Sequence, residues 1–224
     1  MLKGKISEIF DSIQGEGLYL GERQIFVRFF GCNLQCRYCD TQLDSFMEYE
    51  AEELVKELKM YRGKYHSVSF TGGEPLLQKD FLKEVLKLTQ KNNLKNYLET
   101  NGTLPDALRE VIDDIHIVAM DLKLPSSTGL NNFWDVHKVF LEIACRKELF
   151  LKVVICDCTK EDDLREGLNL IKNTIRSTIL ILQPDSNASS ISIQQKLENF
   201  KDICYKENIT ACIITQIHKE LRIK

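Results

Sequence analysis

The sequence predicts an α/β fold built mostly from parallel strands, and two observations carry that prediction. Short runs rich in β-branched and aromatic residues recur along the chain, separated by longer amphipathic stretches. That is the rhythm of repeated strand–helix units around a parallel sheet. Residues unusual for connecting turns then cluster just after those runs, where ligands sit in parallel sheets and barrels. At 224 residues, 43% of them hydrophobic and 28% charged, the chain can bury a sizeable core and has an ordinary globular composition. No internal repeat or linker divides it, so one domain over residues 1–224 is expected.

In chain order, an alternating apolar segment over residues 5–13 leads to Gly15-Glu16-Gly17, a turn or flexible loop. Strands are expected at Gln24–Phe30, His66–Phe70, Asn96–Leu98, His116–Met120, Phe150–Ile155, Thr178–Leu182 and Ala211–Thr215. Helices are expected between them. Residues 50–61 place Leu54, Leu58 and Met60 on one side, and residues 80–91 do the same with Phe81, Val85, Leu86 and Leu88. Residues 105–112 carry Pro105 in the first turn, and residues 132–148 make a longer helix. Thr159-Lys160-Glu161-Asp162 reads as an N-terminal cap with early negative charge, opening a helix to about Thr174. The polar loop Asp185–Ser190 precedes a last helix over residues 190–207.

Composition excludes several functions. A net charge of −3 gives no basic excess, so nucleic acid is not an expected partner. Met1-Leu2-Lys3-Gly4-Lys5 leads to no apolar signal segment, and no run is long and apolar enough for a bilayer. A cytoplasmic protein is expected, where clustered cysteines imply metal or redox chemistry. Cys145, Cys156, Cys158, Cys204 and Cys212 lie in or beside apolar runs and most read as core residues, with Cys156-Asp157-Cys158 the one pair that could do more.

The remaining three of the eight cysteines fall together in Gly31-Cys32-Asn33-Leu34-Gln35-Cys36-Arg37-Tyr38-Cys39-Asp40-Thr41. Thiolates at this spacing suit a soft metal centre, an iron–sulfur cluster or zinc. A structural zinc site favours two separated pairs, and no second Cys-x2-Cys occurs downstream. Three cysteines on a 4Fe-4S cluster leave one iron for a small molecule, which is a reactive arrangement. A disulfide or zinc knuckle remains the bland alternative. The other strand ends carry Thr71-Gly72-Gly73-Glu74-Pro75, Glu99–Thr103, Asp121–Ser127, Gln183-Pro184 and Gln216-Ile217-His218-Lys219. Each is explicable alone as turn, solvated pair or surface histidine, but together they line one rim.

Cys-x3-Cys-x2-Cys with an aromatic residue before the third cysteine, followed by a Gly-Gly-Glu-Pro strand end, resembles the radical S-adenosylmethionine superfamily. Within it, Asp11–Gly17, Phe26–Phe29, Cys39-Asp40-Thr41 and the ending Gln216–Lys219 resemble the family that makes 7-carboxy-7-deazaguanine for queuosine or archaeosine. The resemblance implies a partial (β/α) barrel, a 4Fe-4S cluster on Cys32, Cys36 and Cys39, S-adenosylmethionine and magnesium. It implies cofactor contacts at Tyr38, Asp40, Gly73, Asp121, Leu122, Lys123 and Gln183, and a magnesium hydroxyl ligand at Thr41. It implies substrate contacts at Ile13, Gln14, Gly15, Glu16, Arg28, Thr71, His218 and the terminal carboxylate of Lys224. Residues 1–23 would be a substrate-binding segment, and residues 208–224 would close the site.

The implied reaction begins with one-electron reduction of the cluster by a donor such as flavodoxin or ferredoxin. Cleavage of S-adenosylmethionine and hydrogen abstraction from 6-carboxy-5,6,7,8-tetrahydropterin follow, then ring contraction with loss of ammonia. Family members are commonly homodimers. The chain departs from the family in lacking a proline before the first strand. It also carries Asp-Leu-Lys where other members have Ser-Pro-Lys. A glycyl-radical-enzyme activase and a non-catalytic iron–sulfur or zinc module are the rival readings.

Overall fold

The computed structural model describes residues 2–41, 43–186 and 191–217. His218, Lys224 and residues 187–190 of the polar loop before the last helix lie outside these residues. The strands are β1 (Lys3–Ile13), β2 (Arg23–Phe29), β3 (Met47–Glu50), β4 (Ser67–Gly72), β5 (Asn96–Thr100), β6 (Ile117–Asp121), β7 (Glu148–Ile155), β8 (Ile179–Pro184) and β9 (Thr210–Ile213). Among the described residues they form one open sheet in the order β3-β1-β2-β4-β5-β6-β7-β8-β9. β1 runs antiparallel to β2 and β3, and every other neighbouring pair is parallel. The expected parallel strands are therefore all present and in order, within a few residues at their ends. β3 was not expected, and the alternating segment after residue 5 is a full strand.

The helices are α1 (Ala51–Leu58), α2 (Lys79–Lys91), α3 (Pro105–Val111), α4 (Pro125–Thr128), α5 (Trp134–Ala144), α6 (Glu161–Thr174) and α7 (Ile191–Lys206). α1 opens on a capping box between Glu50 and Glu53 and buries Ala51, Leu54, Val55 and Leu58. It stops at Leu58, so Met60 lies outside the packed side and is 69% exposed. The expected helix over 132–148 is shorter, because Glu148 already belongs to β7, where it partners Ile117. Thr159 does not cap α6: its hydroxyl accepts the Cys156 N–H at 2.7 Å and closes the loop before the helix. α4 was unforeseen, a single turn with Pro125 at its start.

Strand alternation sorts the sheet into two faces. Phe29, Phe70, Leu98, Met120, Leu151, Val153 and Leu182 join the buried apolar cores of the helices in the main hydrophobic cluster. The opposite face holds Tyr97, Ile117, Ala119, Phe150 and Ile181 in a smaller cluster. Two residues further along each of several strands, this second face turns polar at Glu99, Asp121, Lys152 and Gln183. The apolar layer floors the interior, and the polar layer faces the carboxyl ends of the strands. Among the described residues no helix is long and apolar enough to cross a membrane.

Candidate active site

Above that floor lies a cavity of ≈ 740 Å³ bounded by the ends of β1, β2 and β4–β8 and by the cysteine loop. Cys32, Cys36 and Cys39 are free thiols in its wall. Burial pushes the thiols of Cys32 and Cys36 up, and the nearby Lys123 cation offsets only part of that rise.

The cysteine loop is held by the strand ends beside it. The Gly73 and Glu74 N–H groups donate to the carbonyls of Phe29 and Gly31 at 3.1 and 2.9 Å. A Cβ on Gly73 would overlap the Gly31 carbonyl, so glycine is needed for this close approach. The paired glycines thus grip the root of the cysteine loop, and the Gly73 amide is already engaged. Asn101 Nδ2 donates to Asn33 Oδ1 at 2.9 Å and lies 3.9 Å from Cys32 Sγ. Asn33 Nδ2 donates in turn to Thr103 Oγ1 at 2.9 Å.

A row of charges crosses the cavity. Lys123 Nζ lies 2.9 Å from Asp121 Oδ2 and 3.3 Å from Tyr38 OH, which sits in the cysteine loop. Lys152 Nζ lies 3.5 Å from Asp121 Oδ1 and 2.7 Å from Glu16 Oε2. Gln216 Nε2 donates to the other Glu16 oxygen at 2.6 Å. Burial alone would push the Asp121 carboxyl up, but Lys123 and Lys152 outweigh it and hold it below its ordinary value. Burial likewise penalises both lysine cations, yet the facing carboxylates keep them firmly protonated.

On the β1–β2 side, Arg28 Nε lies 3.2 Å from Glu8 Oε2, with the guanidinium 5.8 Å from the Phe10 ring. Phe10 stacks on Phe26, its cross-strand partner, at 5.1 Å. Nearby, Glu99 accepts from Gln14 Nε2 at 2.9 Å, Ser69 Oγ at 3.2 Å and Thr71 Oγ1 at 2.9 Å. Gln14 also donates to Gln24 Oε1 at 3.0 Å and accepts from the Glu16 N–H at 3.0 Å. Both its amide hydrogens are thereby committed inside the protein.

Of the residues expected in the site, Ile13, Gln14, Gly15, Glu16, Arg28, Tyr38, Asp40, Thr41, Thr71, Gly73, Asp121, Lys123 and Gln183 all line the cavity with the three cysteines. Leu122 does not: its side chain is in the main core, its Cδ2 closest to the position a Cβ on Gly167 of α6 would take. Its backbone N–H donates to the Lys152 carbonyl at 2.8 Å. His218 and Lys224 lie outside the described residues. The residues before them do reach the site, through the Gln216–Glu16 contact and an Ile217 N–H to Gly15 carbonyl bond of 3.1 Å. Two residues escaped the sequence reading, Glu8 and Lys152, while Glu99 was expected on the rim and lines the cavity there. The signal that could have found Lys152 is a lysine inside the otherwise apolar run Phe150–Ile155.

The donor set fits an iron–sulfur cluster. Among the described residues no three His, Cys, Asp or Glu side chains gather closely enough to hold a single metal ion. A cluster needs no such convergence, because each cysteine binds a different iron. A closed zinc site does need it. Gln183, 4% exposed, also has its Oε1 buried in the wall without a hydrogen-bond donor, an acceptor left for a bound molecule.

Comparison with known proteins agrees with this geometry. Residues 26–186 match the model of the Radical SAM superfamily. A 7-carboxy-7-deazaguanine synthase of Geobacter sulfurreducens is 37% identical, with 82% of each chain covered. One from Archaeoglobus fulgidus is 35% identical over the whole of both chains. In structure, QueE from Escherichia coli matches with a TM-score of 0.68 at 21% identity, covering 94% of this chain and 93% of that one. A domain of a pyruvate-formate lyase-activating enzyme from Bacteroides vulgatus matches at 0.54 and 19% identity, covering 66% of this chain and 98% of that one. The two structural likenesses show a shared fold, and the sequence relatives decide between them. The chain belongs to the 7-carboxy-7-deazaguanine synthase family of the radical S-adenosylmethionine superfamily.

Proposed function

We propose that this chain converts 6-carboxy-5,6,7,8-tetrahydropterin to 7-carboxy-7-deazaguanine with loss of ammonia, in 7-deazapurine biosynthesis. The observation that carries the reading is one cavity with thiols on one wall and Arg28, Glu16 and Thr71 on another. Cys32, Cys36 and Cys39 would hold a 4Fe-4S cluster, and Tyr38, Asp40, Gly73, Asp121, Lys123 and Gln183 would surround S-adenosylmethionine. Leu122 would contribute through its backbone alone. When bound, these groups supply one-electron radical chemistry at a carbon–hydrogen bond of the substrate.

The chain's own residues bind, orient and screen. Arg28 presents a guanidinium, and the pterin carboxylate is a planar partner that it can bind through two parallel hydrogen bonds. Glu16, paired with Lys152 at 2.7 Å, accepts from pterin N–H groups. Thr71 keeps its hydroxyl lone pairs, and Gln14 one carbonyl lone pair, along the same edge, beside the backbone of Ile13 and Gly15. Thr41 offers an oxygen to magnesium, a hard cation that keeps room for substrate oxygens. Residues 1–23 form the substrate-binding segment and residues 208–224 close it, a role favoured by the Gln216–Glu16 contact. The reductant is a flavodoxin- or ferredoxin-type protein, and the working form is a cytoplasmic homodimer.

Anaerobic reconstitution with iron and sulfide, reduction, and incubation with S-adenosylmethionine, magnesium and the pterin test the reading. Mass spectrometry should find 7-carboxy-7-deazaguanine with wild type and none with Cys36→Ala. Cleavage of S-adenosylmethionine without that product would reject the substrate and favour an activase-like role. No cleavage by protein with a verified cluster would reject the radical chemistry itself.

A further inference from the structure

Lys152 is a buried cation held between two carboxylates. It is 6% exposed, sits in the cavity wall, and reaches a carboxylate on either side, Glu16 at 2.7 Å and Asp121 at 3.5 Å. Strand register explains the second contact, because Lys152 and Asp121 are Cα partners across β6 and β7. The first contact joins residues 136 positions apart in sequence. A lysine taken out of water in this way is costly unless it is paired, so its place in the strand calls for a function.

We infer that Lys152 is a positioning residue for the reaction: it fixes the Glu16 carboxylate that receives the substrate, and it does so as a cation shared with Asp121 on the cofactor side. This inference rests on the substrate role proposed for Glu16. Lys152 Nζ holds Glu16 Oε2 while Gln216 Nε2 holds Oε1, so the carboxylate plane is set from two directions. A carboxylate braced on both oxygens cannot swing away from the cavity it lines. Without Lys152, Glu16 and Asp121 would face each other in a buried setting. Two carboxylates so placed do not both ionise easily near neutrality. The other titratable groups facing Lys152 are Glu99 and Tyr97 from β5 and Lys123 beyond β6. Glu99 adds a third carboxylate to the cluster, and Lys123, the one neighbouring cation among these groups, is engaged by Asp121 and Tyr38, so none of them takes the place of the missing charge.

The test uses cluster-reconstituted protein and 6-carboxypterin, the oxidised and unreactive relative of the substrate, whose fluorescence reports binding. Wild type, Lys152→Met, Lys152→Arg and Glu16→Gln are titrated across the neutral pH range, with cluster absorbance and thermal melting as folding controls. Lys152→Met is expected to bind the probe about tenfold more weakly or worse at pH 7, as for truncation of a buried charge pair. Its affinity should recover as the pH rises and Glu16 ionises, while wild type stays flat. Lys152→Arg should restore both affinity and flatness. Wild-type affinity in folded Lys152→Met overturns the inference. So does a loss that is independent of pH and not rescued by arginine. If Glu16→Gln binds like wild type, it is the substrate role of Glu16 that fails.

Discussion

Glu74 accepts the backbone N–H of Asn101 at 2.7 Å, tying the end of β4 to the end of β5 beneath the cysteine loop. The same carboxylate accepts from Thr100 Oγ1 at 2.9 Å and the Leu76 N–H at 3.1 Å. From the other side His137 Nε2 lies 3.3 Å from the Asn101 carbonyl. Asn101 is therefore pinned at both backbone atoms, which leaves its side chain aimed at Asn33 and Cys32.

These two supports titrate in opposite senses. Burial pushes the Glu74 carboxyl up to about 7 against its hydrogen-bond donors, and burial pushes His137 down to about 4. A raised carboxyl stabilises the fold fully below its unfolded value and loses that contribution as pH rises through 7. A depressed histidine stabilises above its unfolded value near 6.5 and loses that contribution as pH falls through 4. Each amounts to about 3 kcal/mol at the end of its window, so the two largely cancel in wild type. His137→Gln should therefore become less stable than wild type as pH rises from 4.5 to 7, and Glu74→Gln less stable as pH falls over the same range. Urea unfolding across that window measures both, and parallel curves for all three proteins would refute the compensation. Glu74→Gln should also lose about 1–3 kcal/mol at every pH, because its amide faces donors.

Much of this arrangement was legible in the sequence, for identifiable reasons. Runs such as Val68–Phe70 and Ile117–Met120 are buried on both faces, so they stand out as parallel strands by composition alone. β3 does not, since Met-Glu-Tyr-Glu is short and polar and gains its place only by pairing with β1. The cysteine loop, Glu16 and Arg28 were readable because motif chemistry is local. Glu99 was visible as a rim residue but its partners were not, and Lys152 was not visible at all, because those partners come from β4, β6 and the loop after β1, which only the folded sheet brings together. Leu122 illustrates the converse: strand alternation turns its side chain into the core while Asp121 and Lys123 on either side face the cavity.

The approach of Gly73 to Gly31 should make the cysteine loop sensitive to a single methyl group. Gly73→Ala drives a Cβ into the Gly31 carbonyl, and the rigid neighbour there is backbone, so the loop must shift. Overpacking of this kind costs about 1–3 kcal/mol. The expected outcome is a folded protein that retains less iron and sulfide after reconstitution, read by metal analysis alongside circular dichroism. Full iron content in Gly73→Ala would show that the loop tolerates the displacement.

Arg28 is oriented before any ligand arrives. Glu8 engages its Nε, the edge of the guanidinium, and the stacked Phe10–Phe26 pair lies beside it. That geometry leaves the two terminal nitrogens as a fork, the shape that matches a carboxylate. Lysine at this position keeps the charge but loses the fork and the Glu8 brace. Arg28→Lys should therefore weaken binding of 6-carboxypterin by roughly 2 kcal/mol, about thirtyfold, the value of charge-assisted hydrogen bonds. Binding of pterin, the same ring without the carboxylate, should be nearly unchanged, and so should the KM for S-adenosylmethionine. Glu8→Gln should reproduce a smaller part of the same selectivity loss. Equal weakening toward both pterins would place the carboxylate elsewhere in the cavity and leave Arg28 as a structural partner of Glu8.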